Sequence, residues 1–244
     1  MQLIYHDRLD STNRLAKELV QQGILPGTVI QAGQQSAGRG QYDRSFLSPP
    51  GGLYFSLILN PALLPQEIAM MTLAAGLGCR DALREQCGLG VHIKWPNDLY
   101  CSGKKIAGIL SEYCMPIRAE AKAAVVVGVG LNVNSHTSDF PPELYEIIST
   151  VRDCSGAVQN MAALLWAAVA GINRRVDQLL AERATFLAQW QEADYLSGRR
   201  IQHLLRDTTL GTGIGLGIDE RGRYLFRQDD GQVRTVLGGQ LRLL

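Results

Sequence analysis

Short apolar runs bounded by turn residues alternate along most of this chain with longer stretches in which apolar side chains recur at i and i+4. LIYH (3–6) predicts a strand. DSTN (10–13) supplies capping residues ahead of RLAKELVQQ, where Leu15/Leu19 and Ala16/Val20 pair at i, i+4 and Gly23 closes the helix. TVIQAG (28–33) predicts a strand, and LYFSLIL (53–59), bounded by PPGG and NP, predicts a buried one. A helix rich in Ala, Leu and Met is expected from about Pro65 to Cys87, then a strand VHIKW (91–95) stopped by Pro96. LYCSGKKIAGILSEY (99–113) predicts two strands around a Ser102-Gly103 turn. AKAAVVVGVGLNVN (121–134) predicts another strand. Residues 135–158 look irregular, and 160–192 carry one long helical pattern.

The character changes after Asp194. Residues 199–244 hold short alternating strands with Asp-Glu-Arg-Gly and Asp-Asp-Gly turns, a small β module expected to pack on the preceding part. The fold class is therefore α+β, with domains expected at residues 1–193 and 194–244. No internal repeat or low-complexity stretch occurs.

Composition narrows the function classes. The chain has 244 residues, 46% hydrophobic and 19% charged, enough for one sizeable core. Its 24 basic and 23 acidic residues leave a net charge of +1, so no nucleic-acid groove or anionic membrane is expected as main partner, and any basic site must be local. Five cysteines without a C-x-x-C pair suit a reduced compartment. The four scattered histidines offer no metal spacing. MQLIYHDRLD lacks a basic-then-apolar leader and no apolar run approaches about 18 residues, so a cytoplasmic location is expected.

Four polar constellations stand at strand ends, where irregular backbone carries function. DSTN reads as a plain N-cap, or as hydroxyls from Ser11 and Thr12 offered to a neutral polar ligand group. QQSAGRGQYDRSF (34–46) reads as a surface hairpin with solvated arginines, or as a glycine loop bringing backbone N–H groups and arginine forks to an anion. It is neither a P-loop nor a dinucleotide fingerprint, since G-x-G-x-x-G fails at Asp43. KWPNDLY (94–100) with SGKKIAG (102–108) reads as turn formers beside a core indole. Alternatively, Trp95 stacks on a base or ring, Asp98 ligates Mg²⁺ on phosphates, and one of Lys104 and Lys105 points inward beside an anion. GVGLNVN (128–134) reads as a β-bulge or as a close approach of ligand to strand, with Asn132 and Asn134 on one face.

Taken together, DSTN, Q-x-A-G-R-G, KWPNDL-x(5)-K-x-AGIL-x-E and G-x-G-x-N resemble the biotin–protein ligases in order and spacing. The likeness covers nearly the whole chain and extends to a Gly238-Gly239 turn near the C-terminus. It implies a class II synthetase-like catalytic domain around a mixed sheet, followed by an SH3-like β-barrel. The implied reaction joins biotin to MgATP as biotinyl-5′-AMP, releasing pyrophosphate, then passes biotin to one lysine of a biotin carboxyl carrier protein. ATP and Mg²⁺ are the implied cofactors and a homodimer is a reasonable expectation. DSTN begins at residue 10, so the chain resembles the monofunctional kind, without the DNA-binding domain that many bacterial members carry.

The resemblance also assigns residues. Lys105 would touch the biotin carboxyl and the α-phosphate, with Arg39 close to both, lowering repulsion between two anions. Ser11, Thr12, Asn13, Gln35, Gly38, Gly40, Gln41 and Gly108 would join them around biotin. Arg44, Phe46, Lys94, Trp95, Asn97 and Asn132 would line the nucleotide, with Asp98 toward magnesium. The chain departs from the family's G-R-G-R-x-G-R-x-W: Gln41 stands for an arginine, Asp43 for a glycine and Phe46 for a tryptophan. Gln41 donates a hydrogen bond without charge, so activity is expected to persist with the adenylate held less firmly. Gln240 stands where relatives often have an acidic residue. Two rivals stay open, a lipoate- or octanoyl-transferring relative and a catalytically dead ligand-binding module.

Overall fold

The computed structural model describes residues 1–115, 123–205 and 208–244. Strands β1 (Gln2–Leu9), β2 (Thr28–Gln35), β3 (Leu53–Leu59), β4 (Val91–Lys94), β5 (Asp98–Cys101), β6 (Lys104–Cys114) and β7 (Ala124–Leu131) form one sheet in the order β1-β2-β3-β7-β6-β5-β4. β1 and β2 run parallel, and every other neighbouring pair is antiparallel. The parallel pair needs a crossover, which α1 (Thr12–Gln21) supplies.

Period-two alternation sorts the strands into two faces. On β7, Val125, Val127, Val129 and Leu131 join Leu53, Phe55 and Leu57 of β3 in the main core, beneath α2 (Ile68–Cys87) and α4 (Met161–Ala181). On the other face Ile30, Ile58, Ala124 and Val126 pack against Ala16 and Val20 of α1. LYFSLIL is almost continuously apolar because both of its faces are covered. Helices α2 and α4 cross with backbones touching: a methyl group on Gly78 would lie 2.5 Å from the Ile172 nitrogen.

Three expectations need correction or refinement. The single helix over 160–192 breaks at Glu182 (φ −138°, ψ 55°) into α4 and α5 (Arg183–Ala193). Leu179, Phe186 and Ala193 are spaced by seven and all buried, so the apolar rhythm runs through the break without a Gly or Pro to mark it. The stretch 135–158 is less irregular than expected. It holds 3₁₀ turns at Thr137–Asp139 and Pro142–Leu144 and a short helix α3 (Val151–Ser155), capped by Thr150 Oγ1 accepting from the Asp153 N–H at 3.0 Å. The strand expected over 121–134 is seen as β7, and residues 121 and 122 lie outside the described residues.

The C-terminal strands β8 (Arg200–Leu205), β9 (Thr208–Ile218), β10 (Tyr224–Gln228), β11 (Val233–Val236) and β12 (Gln240–Leu243) make an antiparallel sheet in the order β11-β10-β9-β8-β12. Residues 206–207 of the expected module lie outside the described residues. The two sheets are fastened by specific bonds. Tyr195 N–H donates to the Ile93 carbonyl at 2.9 Å, and the Trp95 indole N–H donates to the Gly222 carbonyl at 3.0 Å. Asp194 accepts from the Leu196 N–H at 2.9 Å and the Tyr224 hydroxyl at 2.7 Å. Burial pushes the Asp194 carboxyl up to about 6, the two hydrogen bonds opposing the shift. Among the described residues no helix is long and apolar enough to cross a membrane.

Candidate active site

Following β7 past Val126 along the α1 face leads to Gly128 and Gly130, and the neighbouring β6 presents Gly108 beside Gly130. The apolar floor thus gives way to bare backbone. A cavity of about 310 Å³ opens above it, bounded by the 35–48 hairpin, the Lys94–Asp98 segment and the start of β12.

The hairpin is held by bridges at Gln35–Ser48 and Arg39–Ser45, with the Phe46 N–H donating to the Gly38 carbonyl at 2.8 Å. Its tip is a single 3₁₀ turn, Gln41–Asp43. Phe46 folds its ring onto the glycine floor: a methyl group on Gly108 would sit 3.0 Å from the ring, and one on Gly130 would overlap it. The glycines are needed here for close approach.

One end of the cavity is polar but neutral. The Thr12 N–H and hydroxyl both donate to Gln35 Oε1, at 2.9 and 3.2 Å, and Gln35 Nε2 donates to Ser48 Oγ at 2.9 Å. Ser56, fully buried, lies 2.8 Å from Thr12 Oγ1 and 2.6 Å from Asn13 Oδ1. Asn13 Nδ2 donates to the Leu110 carbonyl and to Glu112, which Lys17 pairs at 2.7 Å. The Asn13 amide is therefore largely spent inside the fold. Ser11 caps α1, weakly accepting from the Arg14 N–H at 3.5 Å, which leaves its hydroxyl proton for a ligand.

The other end is cationic. Lys105 Nζ pairs with the Asp98 carboxylate, 2.6 Å from its Oδ1. A charge contact of this kind is exchangeable for a ligand anion. Lys104 turns away, donating to the Tyr145 carbonyl at 2.7 Å and pairing exposed Glu146 at 3.3 Å. Adjacent strand residues point to opposite sides, so only one of the two lysines reaches the cavity. Lys94 donates to Tyr100 Oη at 3.3 Å. Burial lowers its pKa, with Asp98 opposing and Lys105 and Arg242 adding to the fall. Asn97 grips Ile109 through its side-chain amide and its carbonyl, at 3.0 and 2.9 Å, which fixes Asp98 beside Lys105.

Ser11, Thr12, Asn13, Gln35, Arg39, Gly40, Gln41, Arg44, Phe46, Lys94, Trp95, Asn97, Asp98, Lys105 and Gly108 all line this one cavity. Arg39 and Arg44 stand exposed on the hairpin and form no ion pair among the described residues. Trp95 is 8% exposed with its N–H already bonded across to Gly222, so its ring is a fixed wall. Two expected residues lie elsewhere. Gly38 sits under the hairpin crossing, where a methyl group would meet the Phe46 carbonyl at 2.5 Å. Asn132 is buried behind the floor, where its side-chain amide donates to the Ser149 carbonyl at 3.2 Å and its Oδ1 has no partner.

Residues 5–132 match the biotin/lipoate A/B protein ligase family. The chain belongs to that family. It is 35% identical to the bifunctional ligase/repressor BirA of Bacillus subtilis (strain 168), over 99% of this chain and 74% of the relative. It is 28% identical to the biotin–[acetyl-CoA-carboxylase] ligase of Mycobacterium tuberculosis (strain ATCC 25618 / H37Rv), over 82% of this chain and 73% of that one. The biotin protein ligase of Aquifex aeolicus, solved in complex with biotin and ATP, superposes with a TM-score of 0.84 at 28% identity, covering 100% of this chain and 99% of that one.

Several residues of this ligase-family cavity escaped sequence reasoning. Ser56, Ser48 and Lys17 build the polar end from behind, beside Glu112 of the AGIL-x-E motif, and Tyr42 and Arg242 complete the rim beside Gly239 and Gln240, which the resemblance had already marked. Ser56 did leave a signal, a lone serine inside an apolar strand. Tyr42 and Arg242 left none, because only the fold brings β12 beside a hairpin two hundred positions earlier.

Proposed function

We propose that this chain joins biotin to ATP as biotinyl-5′-AMP and transfers the biotinyl group to a lysine of a biotin carboxyl carrier protein. The observation that carries the reading is a single cavity, neutral and polar at one end and cationic at the other, with a glycine floor between. Its supports are family membership and a 28% identical structure bearing biotin and ATP together.

Biotin's ureido ring loses water on entering and needs hydrogen-bonding partners. The Ser11, Thr12 and Gln35 cluster offers them without charge. Its aliphatic tail lies along Leu110 and the Gly128–Gly130 floor once the Phe46 ring lifts off the glycines, which brings the carboxylate to Lys105. There a carboxylate oxygen attacks the α-phosphorus of ATP, the bond to the β-phosphate breaks, and pyrophosphate leaves. Lys105, with Arg39 from the hairpin, stabilises charge on the phosphoryl oxygens and lowers repulsion between the two anions. In the second step the carrier lysine's neutral amine attacks the acyl carbon. AMP departs, and an amide forms with loss of one proton.

Among the described residues no cluster of three or more His, Cys, Asp or Glu side chains is arranged to hold a metal. Asp98, a carboxylate on the cavity wall whose partner Lys105 turns to the ligand phosphates, fits magnesium, which uses one or two carboxylates and completes its shell with water and phosphate oxygens. When bound, magnesium neutralises phosphate charge. We read residues 1–193 and 194–244 as two domains with the cavity where they meet.

A lipoate substrate belongs to the same family name, but a dithiolane ring gives the Ser11, Thr12 and Gln35 cluster nothing to bond. The test is exchange of labelled pyrophosphate into ATP with biotin, lipoate or neither. Exchange dependent on biotin supports the proposal. Lipoate dependence, or binding without exchange, overturns it.

A further inference from the structure

Tyr42 sits at the hairpin tip with φ 57° and ψ 41°, the left-handed region that a bulky side chain rarely enters and that costs free energy to hold. The residue is 63% exposed, so burial does not compensate. The compensating bond is long-range: the Gly239 N–H donates to the Tyr42 phenol oxygen at 3.1 Å. Gly239 has φ +95° in the turn before β12, and a methyl group on Gly238 would stand only 3.1 Å from the same oxygen. Both ends of the bond line the cavity.

We infer that Tyr42 is a positioning residue that clasps the hairpin tip to the C-terminal sheet and closes the mouth of the cavity. The inference gives the C-terminal module a part in the reaction and, for the bound species, rests on the function proposed above. The backbone bonds of the hairpin tip stay within the hairpin, between residues 38 and 46, and the neighbouring Gln41 brings no charge to the rim. A neutral phenol-to-backbone bond then decides how long the tip stays down. An acyl-adenylate formed beneath it leaves only when that bond opens.

Two measurements on the full chain test this. In the first, ligand-free wild type, Tyr42→Phe and Tyr42→Gly are treated briefly with trypsin, and cleavage after Arg39 and Arg44 is followed by mass. Tyr42→Phe keeps the ring and removes only the acceptor, and loss of one neutral hydrogen bond is expected to speed cleavage about fivefold. Tyr42→Gly relieves the backbone strain yet should be cut at least as fast, whereas a purely conformational role expects it to be protected. In the second, release of preformed biotinyl-AMP is timed, and Tyr42→Phe should release it about fivefold faster.

Cleavage rates of wild type and Tyr42→Phe within twofold of each other would overturn the clasp. Faster cleavage with unchanged release would overturn its role in retention. A wild type that forms no adenylate would sink the proposed activity, and cleavage would still decide the clasp.

Discussion

Replacing Lys105 with alanine removes the cation that Asp98 holds at the charged end of the cavity, and the structure separates two consequences. Loss of a charge that strengthens its contact in the transition state typically costs about 10²–10³ in rate, or about 2.7–4 kcal/mol. The fold loses less. Lys105 and Asp98 keep side-chain exposures of 27% and 22%, so water takes over part of the contact. Leaving Asp98 unpaired should cost about 1 kcal/mol, a fall in Tm of about 2–4 °C for a chain of this size. The assay is biotin-dependent pyrophosphate exchange, run beside thermal melts. Lys104→Ala is the control: it gives up a bond to the Tyr145 carbonyl and a pair with Glu146, which is 93% exposed, so exchange should stay within about threefold of wild type. Lys105→Ala combined with Asp98→Asn removes the stranded carboxylate and should recover the melt without recovering exchange. A Lys105→Ala loss under threefold, or exchange returning together with stability, would refute the assignment of Lys105 to the chemistry.

Four further outcomes are expected. Ser56→Ala leaves Asn13 Oδ1 without the buried hydroxyl 2.6 Å from it, costing about 1–3 kcal/mol in urea unfolding and raising the KM for biotin about tenfold. Gly130→Ala puts a methyl group where the Phe46 ring now lies and should weaken biotin binding about tenfold by calorimetry, with little change in melting because the ring can lift away. Gln41→Arg restores a charge to the cavity rim and should slow biotinyl-AMP release by about tenfold or less in a filter-binding assay. For Asp194 the folded carboxyl titrates near 6, against 3.8 ordinarily. Its contribution is complete below about 3.8 and is lost as pH rises through 6, a swing of about 3 kcal/mol. Asp194→Asn should therefore gain Tm relative to wild type between pH 4 and pH 7, and a constant difference across that range would contradict the burial argument.

Sequence reasoning reached those parts of the protein that local chemistry dictates. LYFSLIL announced a strand covered on both sides, Ser102-Gly103 a tight turn, and DSTN a cap, and each stands as expected. The break at Glu182 did not show, because Leu179, Phe186 and Ala193 keep helical spacing across it. In the cavity, linear proximity was a fair guide within KWPND and the glycine hairpin but not beyond them. Asn132 shares a strand end with the floor yet turns to Ser149, a choice set by a segment seventeen residues later. Trp95 looked equally suited to core and to ligand, and its N–H is engaged by Gly222 from the other sheet. Which polar group faces a ligand and which braces the fold depends on partners that arrive from far along the chain.

The bond from Trp95 to Gly222 has a practical consequence for dissecting this molecule. A fragment ending near residue 193 would uncover an indole with no acceptor, together with the Met70 and Leu73 surface on which the 222 turn rests. Such a fragment should be sticky and poorly behaved, and its inactivity would say nothing about what the missing strands contribute. Single substitutions on the rim of the intact chain can answer that question, and scissors cannot.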